Sequence, residues 1–283
     1  MSAKPFVLKA LEMEAAEAPR GEAPPAAAAF VSAQLSLYHN DFDGAAAELE
    51  AAVASSPKEL EGWCLLGEAK LRGGDAAAAL EAYGKALSLA PTKVAAGPLL
   101  CAAGLALAAS EPVKAKELYM QSCRAYPCCT AWRGAGVASL QLQQLSEAEE
   151  CLAEANVLNN RDAEVWAQLS LLCFLQKRYD EGEQALTQSL RLDFADIPLL
   201  QQMGAALLSA GKWTLAETTL RRAMAATAGD ASTTAALLGD ALGEQKRYEE
   251  AAEVYKIAAA GADPDAAATA TAKLKEIAAK TGK

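Results

Sequence analysis

The chain has 283 residues, is rich in alanine and leucine, and carries a net charge of −10. An acidic chain with no basic patch and no RNA-type aromatic signature excludes nucleic acid and anionic lipid as expected partners. No apolar run approaches the ~18 residues a membrane helix needs. Alanine, leucine, glutamate, glutamine and lysine are strong helix formers, and no stretch alternates Val, Ile and Thr as a sheet would, so an all-α protein is expected.

Residues 1–25 read as an N-terminal arm or linker. Phe6 to Glu17 suits a short amphipathic helix, broken by Pro19 to Pro25 with Gly21. Lys4 and Lys9 are followed by Glu12, Glu14 and Glu17 with no uninterrupted apolar core, so no secretory signal is read. Residues 26–59 follow, degenerate at Ala29, Ser32 and Ala33 but regular at Phe42, Ala45, Leu49, Ala52 and Pro57. Residues 60–93 carry the clearest pattern: Trp63, Leu66, Gly67, Ala79, Tyr83, Ala86 and Pro91. Trp63, Leu66 and Lys70 share one face of a first helix, and Ala79, Tyr83 and Ala86 one face of a second. Gly73-Gly74-Asp75 supplies the turn, Gly67 and Ala79 let the helices approach, Tyr83 fills the gap, and Pro91 stops the second helix.

The same pattern returns in residues 96–128 (Leu99, Ala103, Ala115, Tyr119, Pro127, with Pro98 marking a local irregularity) and 129–162 (Trp132, Gly136, Ala148, Leu152, with Asn160 in the proline position). It continues in 163–196 (Trp166, Ser170, Tyr179, Gly182), 197–230 (Leu200, Gly204, Ala216, Leu220) and 232–265 (Leu238, Gly239, Ala251, Tyr255). The anchors Ala29, Trp63, Leu99, Trp132, Trp166, Leu200 and Ala235 lie 34, 36, 33, 34, 34 and 35 residues apart. The spacings match the W-x2-L-G…A-x3-F/Y…P signature, so the chain resembles the tetratricopeptide repeat family. The expected architecture is a right-handed tetratricopeptide superhelix, an α-solenoid of seven helix-turn-helix repeats. Residues 266–283 add a capping helix and tail, with Ala268, Leu274 and Ile277 inward and Lys273, Lys275, Glu276 and Lys280 outward. Trp63, Trp132 and Trp166 are expected to be buried at helix-pair joints.

No catalytic constellation is present. His39, the one histidine, falls in the first turn beside Asn40-Asp41, without a partner nucleophile. Seven cysteines, odd in number and irregular in spacing, argue against a disulfide framework, and Cys128-Cys129 lacks the further ligands of a zinc site. Neither GxxxxGK[ST] nor GxGxxG occurs, so no phosphate cradle is expected. Neither metal nor cofactor is expected, and the protein reads as no enzyme. The acid runs Glu147, Glu149, Glu150 and Glu249, Glu250, Glu253 read as solvated faces of second helices.

First helices line the concave side of such arrays, where a partner segment lies. The second, fifth, ninth and twelfth residues of each repeat give the candidate groove: Glu61, Glu68, Arg133, Glu164, Phe174, Gln201 and Asp240. Chaperone-binding members of the family clamp a peptide carboxylate with lysine, arginine and asparagine. Here Ala27, Phe30 and Gln34 stand at the first-repeat positions and acids at the second, so a basic or amphipathic segment is the favoured occupant.

One stretch is more specific. The run from Ala148 to Cys173, with Ala155-Asn156-Val157-Leu158-Asn159-Asn160-Arg161 and Val165-Trp166-Ala167-Gln168-Leu169-Ser170-Leu171, places Thr130 to Asp196 close to one family. It resembles the C-terminal tetratricopeptide region of the cilia- and flagella-associated protein seventy family. That resemblance implies a non-enzymatic scaffold in the axoneme of a motile cilium or flagellum, in the central apparatus of this cytoplasmic cytoskeleton, with other assembly subunits as partners. The family's N-terminal region, with its immunoglobulin-like module, is not among these residues, leaving a fragment or a short axonemal relative as the expectations. The alternative is a soluble adaptor or co-chaperone that binds peptide segments in its concave groove.

Overall fold

A computed structural model describes residues 25–281. The arm or linker expected over residues 1–25, with its Phe6–Glu17 helix, lies outside the described residues apart from Pro25. Among the described residues there are fifteen helices and no strand. They fall into two compact units, divided between Leu158 and Asn159.

The first unit holds four helix pairs. These are α1 (Pro25–Tyr38) with α2 (Phe42–Ser55), α3 (Leu60–Arg72) with α4 (Ala76–Leu89), α5 (Lys93–Leu107) with α6 (Pro112–Ala125), and α7 (Cys129–Gln141) with α8 (Leu145–Leu158). The second unit holds α9 (Ala163–Leu175) with α10 (Tyr179–Arg191), α11 (Ile197–Ser209) with α12 (Trp213–Ala226), and α13 (Ser232–Glu244) with α14 (Tyr248–Ala259). The helix α15 (Pro264–Thr281) packs on the last pair. This is the all-α tetratricopeptide solenoid class.

The turns inside the pairs share one chemistry. Six of the seven place one residue in the left-handed region: Asn40, Gly74, Gln143, Lys177, Gly211 and Lys246. The next residue's N–H then reaches back to a carbonyl five residues earlier, as in Asp75 N to Lys70 O at 2.9 Å and Arg178 N to Cys173 O at 2.8 Å. That closes the first helix in a Schellman arrangement. Where the next residue is aspartate it also caps the second helix, Asp41 accepting from Gly44 N and Asp75 from Ala78 N, both at 3.0 Å. The α5–α6 turn has no left-handed residue, and α5 continues through Pro98.

Side-chain size sets the joints. A Cβ on Gly67 would stand 2.5 Å from the Tyr83 ring, and one on Gly239 2.6 Å from Tyr255. Both pairings follow the pattern read from the sequence. Gly136 faces Leu152 and Gly204 faces Leu220 in the same way. The fifth pair inverts the pattern. Ser170 stands in the glycine position and donates its hydroxyl to the Gly182 carbonyl at 2.8 Å, while the Phe174 ring fills the hole over Gly182.

Trp63, Trp132 and Trp166 are half-buried rather than buried. Two use their indoles on the preceding loop: Trp63 donates to Pro57 O at 2.9 Å and Trp166 to Asn160 O at 2.8 Å. The Asn159-Asn160 pair is explained by that loop. Asn159 Oδ1 accepts from Arg161 N at 3.1 Å, and Asp162 caps α9 at Glu164 N, 2.9 Å. In α15 the inward residues are Ala266, Ala270 and Ile277 with Leu274 half-buried, and Ala268 is exposed. Ala268 is two residues from the stripe, about 200° around the helix.

Candidate protein-docking surface

The candidate groove residues are placed by the first helices of each unit. In the first unit, α3 exposes Glu61 and Glu68, and α7 holds Arg133 half-buried. Glu61 accepts from Gln34 Nε2 of α1 at 3.3 Å, tying adjacent first helices. Glu68 pairs with Arg72 one turn along at 3.3 Å, and Arg72 also lies over the Phe42 ring, 5.1 Å from its centre. Part of the negative charge at Glu68 is therefore answered within the chain. Arg133 lies near Tyr119 and Cys101, where its charge opposes the effect of burial on both groups.

In the second unit, α9 exposes Glu164, α11 holds Gln201 and α13 holds Asp240. Gln201 donates to Thr234 Oγ1 of α13 at 2.7 Å. Asp240 accepts from the Tyr255 hydroxyl at 2.6 Å. Phe174 is a correction: it is 3% exposed and belongs to the core. Its ring turns inward to the hole that Gly182, on α10, leaves.

One regularity escaped the sequence reading. Glu68 and Asp240 each directly follow a joint glycine, and each stands by the tyrosine that fills that joint. Burial, then the nearby Glu68 charge, pushes the Tyr83 phenol up to about 12. Burial and the Asp240 hydrogen bond push Tyr255 further in the same direction. The joint thus positions the acid, a signal available in the Gly-acid dipeptides Gly67-Glu68 and Gly239-Asp240.

The second helices carry further ties between neighbouring pairs. Glu217 of α12 is 12% exposed and takes both oxygens to Arg247 Nη1 at 2.8 Å, with Arg221 at 2.8 Å and Gln245 at 2.9 Å. Its burial acts to raise its carboxyl, but the Gln245, Arg221 and Arg247 hydrogen bonds prevail and hold it below the usual range. Lys116 of α6 bridges to Glu147 at 2.8 Å and Gln144 at 2.6 Å on the α7–α8 pair.

Three of the cysteines are held in the unreactive thiol form. None of the seven is joined in a disulfide. Burial pushes Cys101 and Cys151 up to about 11 and Cys123 to about 12, away from the reactive thiolate. His39 is exposed in the α1–α2 turn, edge-on to Tyr38. Among the described residues, no group of three or more His, Cys, Asp or Glu side chains could hold a metal, and no helix is long and apolar enough to cross a membrane.

Comparison with known proteins adds a lineage to this geometry. The family described as "Cilia and flagella-associated protein 70 C-terminal domain" matches residues 3–276. Cilia- and flagella-associated protein 70 of Macaca fascicularis is 47% identical over 90 residues, 32% of this chain and 9% of that protein. The Homo sapiens protein is likewise 47% identical over 90 residues, 8% of its own length. The chain thus spans under a tenth of the curated relatives it matches. Among solved structures, the APC/C hetero-tetramer Cut9-Hcn1 superposes with a TM-score of 0.71 at 20% identity, over 84% of this chain and 47% of that one. A tetratricopeptide repeat protein from Parabacteroides merdae ATCC 43184 gives 0.63 at 20% identity, over 89% of this chain and 98% of its own. At that identity the two structures speak for the fold.

Proposed function

We propose, since this chain belongs to the cilia and flagella-associated protein 70 C-terminal domain family, that it is a non-enzymatic docking scaffold of the motile axoneme. It would hold neighbouring subunits of the central apparatus along its helix pairs. The observation that carries this reading is the family match over residues 3–276, joined to a helix-pair array whose first helices present Glu61, Glu68, Glu164, Gln201 and Asp240. Such arrays act through extended surfaces rather than through a reactive centre. Acids on first helices, most of them exposed, suit basic or amphipathic segments of partner proteins.

Fractionation tests the reading. The tagged protein, expressed in a ciliated cell, is expected to stay with axonemes after detergent removes the membrane and soluble matrix. Reversing charge at Glu61→Lys and Glu68→Lys is expected to weaken that retention without unfolding the protein, because both side chains are exposed. Recovery of the whole pool in the detergent-soluble fraction would overturn it.

A further inference from the structure

In the first unit a depression of about 890 Å³ opens between α6 and α8 with α7 beneath, lined by Lys116, Trp132, Ser139, Glu147, Glu150 and Glu154 among others. Three features of its lining are left unfinished by the chain itself. Ser139 is 0% exposed, yet its hydroxyl has no hydrogen-bond partner. Buried hydroxyls are ordinarily bonded, and Ser122, Ser170 and Ser189 elsewhere in this chain each donate at 2.7–2.8 Å. The Trp132 indole also has no acceptor among the described residues, unlike Trp63 and Trp166. The reason is chain length: α6 ends at Ala125 and α7 begins at Cys129, whereas residues 56–59 and 159–162 give the other two indoles a loop one residue longer.

Charge is the third feature. Glu147 is paired with Lys116 at 2.8 Å. Glu150 and Glu154 are exposed, and among the described residues neither has an ion pair. The Cys151 thiol at the same wall is held up first by burial and then by Glu147 and Glu150, whose charges outweigh the opposing Lys116.

The fifth repeat supplies an internal comparison. Thirty-four residues on, the corresponding positions are Trp166, Cys173, Glu181, Gln184 and Gln188. There the chain completes its own site. Arg178, where the fourth repeat has Gln144, grips Glu181 through Nη2 at 2.6 Å and Nε at 3.0 Å. The Trp166 indole is bonded, the acids are amides, and a cysteine replaces the serine.

We propose that the fourth-repeat depression receives an arginine side chain presented by a partner protein. The guanidinium lies against the Trp132 indole, donates to the Glu150 and Glu154 carboxylates, and satisfies the Ser139 hydroxyl as an acceptor. Arginine fits better than lysine, because its planar fork stacks on the indole while its edge donors reach separate acceptors. The indole N–H donates to a carbonyl of the same partner segment. This site lies on the second-helix side, apart from the first-helix groove, and rests on the reading of the chain as a docking scaffold.

The test uses the full chain with 15N-labelled tryptophan. The probes are the capped tripeptide Gly-Arg-Gly and its uncharged citrulline counterpart. The Trp132 indole resonance, assigned by its loss in Trp132→Phe, is expected to shift saturably with the arginine peptide. Those of Trp63, Trp166 and Trp213 should stay in place, and the citrulline peptide should move none. Glu150→Gln with Glu154→Gln is expected to weaken binding at least tenfold, and Ser139→Ala several-fold, with unchanged circular dichroism. Equal shifts at all four indoles, an equal response to citrulline, or undiminished binding by the double variant would each overturn the site. Axonemal retention in the face of such a failure would leave the scaffold reading standing and remove only the arginine pocket.

Discussion

Tyr255→Ala is expected to cost about 3–5 kcal/mol of unfolding free energy, the range for removing a large buried aromatic. Tyr255 is 2% exposed and lies against Gly239 at the α13–α14 joint. The glycine cannot fill the space it leaves, and backbone on both sides is held by helix hydrogen bonds. The hydroxyl is the smaller part. Tyr255→Phe keeps the ring and loses the 2.6 Å bond to Asp240, which is expected to cost about 1 kcal/mol, since half-exposed Asp240 can turn to water. The loss should also be local, because repeat arrays couple mainly to nearest neighbours. Hydrogen exchange is expected to show α13, α14 and α15 opening first, while α1–α4 keep their protection. A Tyr255→Ala variant within 1 kcal/mol of the parent would refute this account of the joint.

Gly182→Ala is the second large effect, and its sign is informative. Glycine to alanine inside a helix ordinarily stabilises by about 1 kcal/mol. Here the added methyl would run into the Phe174 ring, and overpacking of that kind costs about 1–3 kcal/mol or more. Net destabilisation is expected. The neighbours show the remedy: the positions of Phe174 and Gly182 are Leu140 and Ala148 in the fourth repeat, and Leu208 and Ala216 in the sixth. The double variant Phe174→Leu with Gly182→Ala gives the fifth repeat its neighbours' pattern and is expected to regain parental stability. Urea unfolding of the four-member cycle measures the coupling, expected to exceed about 1 kcal/mol. Additive effects would contradict the inverted packing.

Most of the fold was legible because its causes are local. The pairs recur with Gly67 against Tyr83 and Gly239 against Tyr255, and each contact joins residues 16 apart in the sequence. What was not legible depends on partners across a helix pair or on backbone angles. Phe174 looked like a groove residue because its burial is decided by what Gly182 lacks. Gln143, Lys177 and Lys246 take left-handed angles that glycine would mark in advance. Ala268 was assigned inward because an alanine-rich helix offers several apolar stripes, and only packing on α13 and α14 selects Ala266, Ala270 and Ile277.

The candidate surface was partly legible for the same reason. Glu61, Glu68 and Glu164 are exposed on first helices, as their positions in the repeat predict. Asp240 is shared with a core tyrosine, and Gln201 is tied to Thr234, ties that repeat position alone does not reveal. The acid run on α8 looked like an ordinary solvated face. It takes on meaning only once Trp132, Ser139, Glu150 and Glu154 are seen to line one depression.

The most direct measurement is electron cryomicroscopy of intact axonemes at a resolution that separates helices. The account predicts density for these helix pairs within the central apparatus, with another polypeptide seated against the first-helix residues or the α6–α8 depression. Axonemes in which the chain is missing from the central apparatus, or present with every helix face bare to solvent, would contradict it.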